Sequence, residues 1–526
     1  MKILNHSFAL ILLSFSLLSS GCASLPSNIQ PPSRVVDYHV DGGVEQRIEE
    51  QRLQDGGGVS ESGVHLLDSG MDAFVARIVL AKMAEQSLDV QYYLYHSDLS
   101  GGLLTVALWQ AAERGVRVRI LLDDMDMSGK DRNLAILTLH PNIEIRLFNP
   151  FMRGKSRTGQ LVTGFGSVTR RMHNKAMIAD NKLAIIGGRN VGDEYFQADP
   201  NLEFGDLDIA ITEPAALSVA ESFQLYWQSD LSYPAELLAN VSVDDSDLKR
   251  AELEIEAFAA KNIDSAYVQA SMNSDILVQA KLGKMRWYWS QVDILYDAPE
   301  KIQLSRDKTE FHLSTQLAPV IEAVDDEMVV ISPYFVPGKS GVAFFQQLRD
   351  RGVTVKILTN SLASNDVSIV HSGYSRYRKD LLKMGVELYE IEVNAIANVE
   401  KKKKKEKKEK KSRMFSGSKS SLHAKFFIID RETSFIGSLN LDPRSVVENT
   451  EIGAVIESKP MAEELVSEFN RNINTIAYKL VLVDGDIQWQ QHNDGDVVTF
   501  DQEPDTSWWQ RFSVGFMRVL PVESQL

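Results

Sequence analysis

Apolar and polar residues alternate through "VRVRILL" (116–122), directly after a helix-like stretch that stops at Arg114-Gly115. The same period returns in "VTVKILT" (353–359), again after a helical pattern ending in Arg351-Gly352. A period of two is that of a strand with one face buried, and a glycine just past a helical run is a common stop. Elsewhere, Phe74 and Ile78 share one face of a predicted helix over 71–86. The segment "SLDVQYYLY" (87–95) reads as the next strand, and "DLDIAITEP" (206–214) as a later one. Strands alternating with helices in this way predict an α/β fold.

The alternation is itself repeated. "AAERGVRVRILLDD" (111–124) resembles "LRDRGVTVKILTNS" (348–361), and "HNKAMIADNKLAIIGGRN" (173–190) lines up with "HAKFFIIDRETSFIGSLN" (423–440). In the second pair His173, Lys175, Asp180, Gly187 and Asn190 fall on His423, Lys425, Asp430, Gly437 and Asn440. A lone histidine on an apolar run is usually a hydrogen-bonded core residue. Five matched polar or special positions in one window point instead to a duplication. The upstream repeats lie 237 residues apart and the histidines 250 apart, so one half carries an insertion, roughly matched by the Lys-rich run 400–413.

The duplication divides the 526 residues into a first lobe over 64–213, a mostly helical insertion over 214–308, a second lobe over 309–480 and a tail over 481–526. A Pro-, Ser- and Gly-rich flexible linker is expected over 23–63. Before it, residues 1–22 show a basic start and an apolar core too short for a comfortable membrane span. The end of that segment resembles a bacterial lipobox, with Ser19 where Leu is preferred. It makes Cys22 the candidate lipidation site and places the protein at a membrane facing the periplasm, in either the outer or the inner membrane. A plain secretory signal or an uncleaved anchor is the alternative. Cys22 is the one cysteine, so no intramolecular disulfide can form. A net charge of −16 argues against a general nucleic-acid binder. The run 400–413 holds ten positive and three negative charges, net +7, which leaves −23 on the rest of the chain. Such runs are usually solvated loops, but this one lies beside the second histidine motif, where lysines would draw the chain to an anionic lipid surface.

Two copies of His-x-Lys-x4-Asp, each followed by Gly-x-x-Asn, resemble the phospholipase D superfamily. "RRMHNKAMI", "GGRNVGDEYF", "SPYFVPGKSGV", "SLHAKFFIID" and "FIGSLNLDPRS" resemble its bacterial cardiolipin synthase C branch. The likeness runs over nearly all of 64–526, the N-terminal lipobox and the Lys-rich insert being departures. It implies two pseudo-repeated lobes, each a mixed β-sheet flanked by helices, with the active site at their interface.

A phosphodiester is an anion, so its substitution needs positive charge at its oxygens and an activated nucleophile. His173, Lys175, Asp180, His423, Lys425 and Asp430 form the expected catalytic set, with the two aspartates mainly holding the motif loops. Asn190 and Asn440 are expected at the substrate phosphate. The resemblance assigns the nucleophile to His173 and the acid/base to His423; the residues alone leave the two equivalent. A carboxylate on the far nitrogen would orient each ring. Glu451 and Asp206 are the candidates, with Asp208 a close rival of Asp206. The chemistry requires no metal and no cofactor.

Tyr93 and Tyr334 are expected to border the pocket, and the resemblance makes His371 a head-group contact. In the tail, Trp508, Trp509, Phe512, Phe516 and Val519 fall near one helical face. That face suits either a membrane interface or docking onto the protein's own domain. Three functions fit the sequence. The first is phosphatidyl transfer to phosphatidylglycerol, with phosphatidylethanolamine a possible donor. The second is hydrolysis by a phospholipase D or a related nuclease, and the third is a non-catalytic tethered scaffold. Two intact motifs weigh against the scaffold. The choice of acceptor and the oligomeric state are not legible in the residues.

Overall fold

A computed structural model describes residues 25–28, 43–163, 166, 168–199, 202–282, 284–365, 367–393, 419–493 and 496–518. Cys22 and the Lys-rich run 400–413 lie outside the described residues. Among those described, no helix is long and apolar enough to cross a membrane.

The first lobe contributes β1 (Ser62–Leu67), β2 (Ser87–Tyr92), β3 (Arg117–Asp123), β4 (Ile143–Phe148), β5 (Ala176–Ala179), β6 (Leu183–Gly187), β7 (Leu202–Gly205), β8 (Asp208–Thr212) and β9 (Ser232–Pro234). The second contributes β10 (Tyr288–Tyr296), β11 (Glu327–Ile331), β12 (Thr354–Asn360), β13 (Glu387–Ile391), β14 (Lys419–Leu422), β15 (Phe426–Ile429), β16 (Thr433–Gly437), β17 (Ile452–Glu457) and β18 (Ala477–Val483). Two further strands, β19 (Asp486–Asn493) and β20 (Asp496–Phe500), extend the second sheet.

The first sheet runs β1-β8-β6-β5-β2-β3-β4-β9 and the second β10-β17-β16-β15-β11-β12-β13-β18. Pairs β2–β3, β3–β4, β11–β12 and β12–β13 are parallel and the others antiparallel. The two orders are the same, strand for strand. β1 pairs antiparallel with β10, Val64 opposite Tyr288, and joins the sheets edge to edge.

This order corrects the expected boundaries. Helix Ala215–Gln228 and β9 repeat as helix Lys459–Ile476 and β18, and β10 repeats β1. The first lobe therefore reaches 234 and the second begins at 288, so the segment without a counterpart is shorter than 214–308. Sequence drift hid these copies because an amphipathic helix needs only an apolar face. Within the expected linker, residues Gly43–Asp55 form a helix.

One apolar cluster gathers residues from both sheets together with Phe223 and Trp227 of one helix and Leu465 and Phe469 of the other. The lobes thus share a core, and burying each such side chain stabilises by roughly 1.5–3 kcal/mol. Each lobe has a separate outer core, under helices Gly70–Met83 and Leu99–Glu113 in the first and Gly338–Asp350 in the second.

Candidate active site

Each histidine motif opens a hairpin, β5–β6 or β15–β16, whose turn residues Asp180 and Asp430 have positive φ (53° and 51°). The Asp180 carboxylate accepts the backbone N–H groups of Glu85, Gln86 and Ser87 at 2.8–2.9 Å. Asp430 does the same for Asp325, Asp326 and Glu327. Each aspartate therefore fixes the point where a helix ends and the neighbouring parallel strand begins. The first helix closes at Met83, three residues short of the predicted end, because those N–H groups are drawn to Asp180.

The backbones of the two histidines are bound to the opposite lobe. His173 N–H donates to Thr450 O (2.8 Å), while Thr450 N–H donates to Arg171 O (3.0 Å). His423 N–H donates to Gly205 O (2.8 Å), beside the parallel pair β7–β14. Thr450 and Gly205 are the residues just before Glu451 and Asp206. The carboxylates follow the same crossing. His173 Nδ1 lies 3.0 and 2.9 Å from the two oxygens of Glu451, and His423 Nδ1 lies 2.6 Å from Asp206 Oδ2. A carboxylate partner requires Nδ1 to carry its hydrogen, which leaves Nε2 for the reaction. Asp208 is engaged elsewhere, with Arg77 at 2.8 Å and Arg189 at 3.4 Å, and Asp206 is the carboxylate that meets His423.

The lysines sit under the rings. Lys175 Nζ donates to His173 O at 2.6 Å, and Lys425 Nζ contacts His423 O and lies 3.0 Å from Nδ1 of that ring. Both are buried. Burial pulls Lys175 down to about 7, so an incoming phosphate anion would supply the counter-charge that restores its proton. Tyr93 meets His173 edge-on at 5.1 Å. Tyr195 (5.2 Å) and Phe204 (5.4 Å) enclose His423. Asn190 Nδ2 donates to Tyr195 OH at 2.9 Å and Asn440 Nδ2 to Ser445 Oγ at 3.4 Å, so both asparagines are held by the turn that follows them. Tyr334 packs against the outer core of the second lobe.

The two half-sites differ in charge. Burial, reinforced by Lys175 and Lys425, holds His173 well below the usual imidazole range. Burial and Lys425 also lower His423, while Asp206 opposes them. Burial would raise Asp206, but His423 and Lys425 outweigh it and hold this carboxyl below its ordinary range. Glu451 goes the other way, pushed up to about 8 by burial against the pull of Lys175. Behind it stands a pair that sequence reasoning missed. Asp297 Oδ2 accepts the Glu451 N–H at 2.8 Å, and Lys301 Nζ lies 2.9 Å from Asp297 Oδ1. Ser438 was missed as well: its hydroxyl donates to Glu451 Oε2. It stands in the motif repeat, opposite Gly188, and that mismatch was the available signal.

One group of possible metal ligands occurs among the described residues. His96, Asp98 and Glu194 bring ligand atoms within 4.8 Å of one another and are half-buried. Asp98 also caps helix Leu99–Glu113. His371, the expected head-group contact, is buried instead, its Nε2 3.2 Å from Glu503 Oε1.

The family "Cardiolipin synthase, PLD-like domain" matches residues 78–227 and 317–473. Cardiolipin synthase C of Escherichia coli (strain K12) is 39% identical over 88% of this chain and 96% of its own. Cardiolipin synthase A of Pseudomonas putida is 24% identical over 77% and 67%. A phosphatidylserine synthase from Haemophilus influenzae Rd KW20 shares the fold at a TM-score of 0.56 and 12% identity, over 91% of this chain and all of that one.

Proposed function

The chain belongs to the cardiolipin synthases built on phospholipase D-like domains and is a phosphatidyltransferase of that superfamily; from that premise we propose that it transfers phosphatidyl to the free glycerol hydroxyl of phosphatidylglycerol through a phosphohistidine. The crossed His173–Glu451 and His423–Asp206 pairs carry this reading, because they make two distant histidines parts of one centre in two different charge environments. His173, kept neutral by burial and with its Nδ1 on Glu451, is suited to attack phosphorus through Nε2. His423, beside an ionised Asp206, is suited to gain a proton once the anionic phosphate arrives. In the first step the N–P bond forms, the bond from phosphorus to the donor's head-group oxygen breaks, and His423 protonates that oxygen. In the second, His423 takes the proton of the acceptor hydroxyl, whose oxygen displaces His173. Lys175, Lys425, Asn190 and Asn440 stabilise the phosphoryl oxygens during both steps.

Phosphatidylglycerol alone should yield cardiolipin and glycerol, and phosphatidylethanolamine with phosphatidylglycerol should yield cardiolipin and ethanolamine. Mass spectrometry of the lipid products checks this, and phosphatidic acid as the main product would favour hydrolysis. We place the chain at a membrane through a lipidated Cys22. Cys22→Ser should abolish labelling by a palmitate analogue, and labelling that persists would remove this anchor.

A further inference from the structure

The C-terminal helix Trp508–Met517 is held to the second lobe by a small set of contacts on one side. Val514 is buried, and the helix packs on helix Ser368–Ser375. The segment leading into it is tied down as well. Glu503 accepts from Arg378 Nη1 at 2.7 Å and meets His371, and Tyr478 OH donates to Asp505 at 2.9 Å. Arg378 in turn pairs with the buried Glu390.

The opposite face is bare. Trp508, Trp509, Phe512 and Phe516 are 59%, 70%, 53% and 63% exposed, and they are the exposed tryptophans and phenylalanines among the described residues. At 3.6 residues per turn they span an arc of about 100°, with Val514 on the far side. Trp508 stacks on Phe512 at 5.1 Å and meets Trp509 edge-on at 4.7 Å, so the rings form one patch. The helix itself carries Arg511 and no acidic residue, and Arg518 follows it.

Its position names the occupant. Helix Ser368–Ser375 follows the carboxyl end of β12, where Asn360 Nδ2 donates to Leu422 O, next to His423. Tyr478 lies beside the carboxyl end of β13, since Ala477 pairs with Ile391. The tethers thus hold the aromatic patch at the end of the sheet that carries the catalytic centre. Trp and Phe with flanking arginine suit a lipid–water interface, and the substrate of this centre lies in such an interface.

We infer that Trp508, Trp509, Phe512 and Phe516 form an interfacial lipid-docking face that seats the catalytic mouth on the bilayer; this rests on the lipid-transferase reading. Apolar insertion also answers the excess acidity of the chain, because it needs no attraction between net charges. The test uses the full chain and its W508S/W509S/F512S variant, whose changed residues are all exposed. Tryptophan emission should be quenched by brominated phospholipid in vesicles of phosphatidylethanolamine and phosphatidylglycerol, and the variant should lose most of that quenching at both low and high salt. Transfer on vesicles should fall at least about tenfold, while transfer on short-chain lipid in detergent stays within about twofold. Equal quenching in both proteins would overturn the proposal, as would a wild-type dimer that the variant converts to monomer without lipid. Quenching reads docking with no turnover, so an inactive but lipid-docked protein would count against the transferase reading and leave this one standing.

Discussion

The two half-sites were built from one duplicated plan and now differ at the positions that control charge. In the first lobe Gly188 leaves room for Asp206; a Cβ there would lie 2.1 Å from Asp206 Oδ1. In the second lobe the matching Ser438 instead donates its hydroxyl to Glu451. Beneath Asp206 runs the buried Arg189, whose guanidinium reaches the backbone oxygens of Leu67, Asp68 and Asp206, whereas its counterpart Leu439 lies in the outer core. Beneath Glu451 lies Asp297, a second carboxyl, itself pushed up to about 6 by burial. One carboxyl is stabilised as an anion and the other is discouraged from ionising. A symmetric pair of histidines is thus set in two different charge environments by the residues packed behind its carboxyl partners.

The largest expected effect treats the two halves alike and then separates them. His173→Ala and His423→Ala should each lower transfer by at least about 10⁴-fold, with the double variant no worse, as for residues acting as a unit. With a donor whose alcohol leaves readily, His423→Ala should accumulate phosphohistidine at His173. Peptide mapping that finds the label on His423 in the reverse variant would exchange the roles.

Removing the supporting charges comes next. Asp206→Asn should cost on the order of 100-fold and Glu451→Gln about tenfold or less, because a general acid contributes about 10²–10⁴ and burial discourages Glu451 from carrying a charge. The wild-type rate should be bell-shaped in pH. His173 must be neutral, so its lowered pKa sets the acid limb below the usual imidazole value; His423 must be protonated, so its pKa sets the basic limb. Loss of the Asp206 charge lowers the His423 pKa and should move the basic limb to lower pH. A shift confined to the acid limb would break the assignment.

The Gly188/Ser438 difference gives a smaller contrast. Gly188→Ala forces Asp206 aside and should approach the Asp206→Asn defect in kcat. Ser438→Ala removes the hydroxyl that donates to Glu451 and accepts the Ile452 N–H, and should cost roughly tenfold at most, about 1.4 kcal/mol or less. Equal losses in steady-state assays would mean that the two carboxylates are supported alike. The smallest effect lies where the lobes are still symmetric. Asp180→Asn and Asp430→Asn should each destabilise by about 1–2 kcal/mol and lower the melting temperature by a few degrees, with little change in kcat. Calorimetry showing a large difference between them would reveal unequal lobes even here.

Much of this was legible in the chain. The strands, the motif hairpins and the loop-holding role of Asp180 and Asp430 follow from period-two alternation and a repeated spacing, which act over a few residues. Glu451 and Asp206 were recognisable as carboxylates trailing each motif. Which histidine each would serve was not. The His173–Glu451 contact spans 278 residues and the His423–Asp206 contact 217, and both exist because β1 joins β10 and each motif's backbone pairs with the chain just ahead of the other lobe's carboxylate. The same long-range geometry sent Asp208 to Arg77, raised Asp297 behind Glu451, buried His371 and turned Val514 inward while leaving four aromatic rings bare. Local pattern sets residue type and element, because backbone hydrogen bonding and burial impose their own periods; charge state and partnership arise only where folding brings distant groups together out of water.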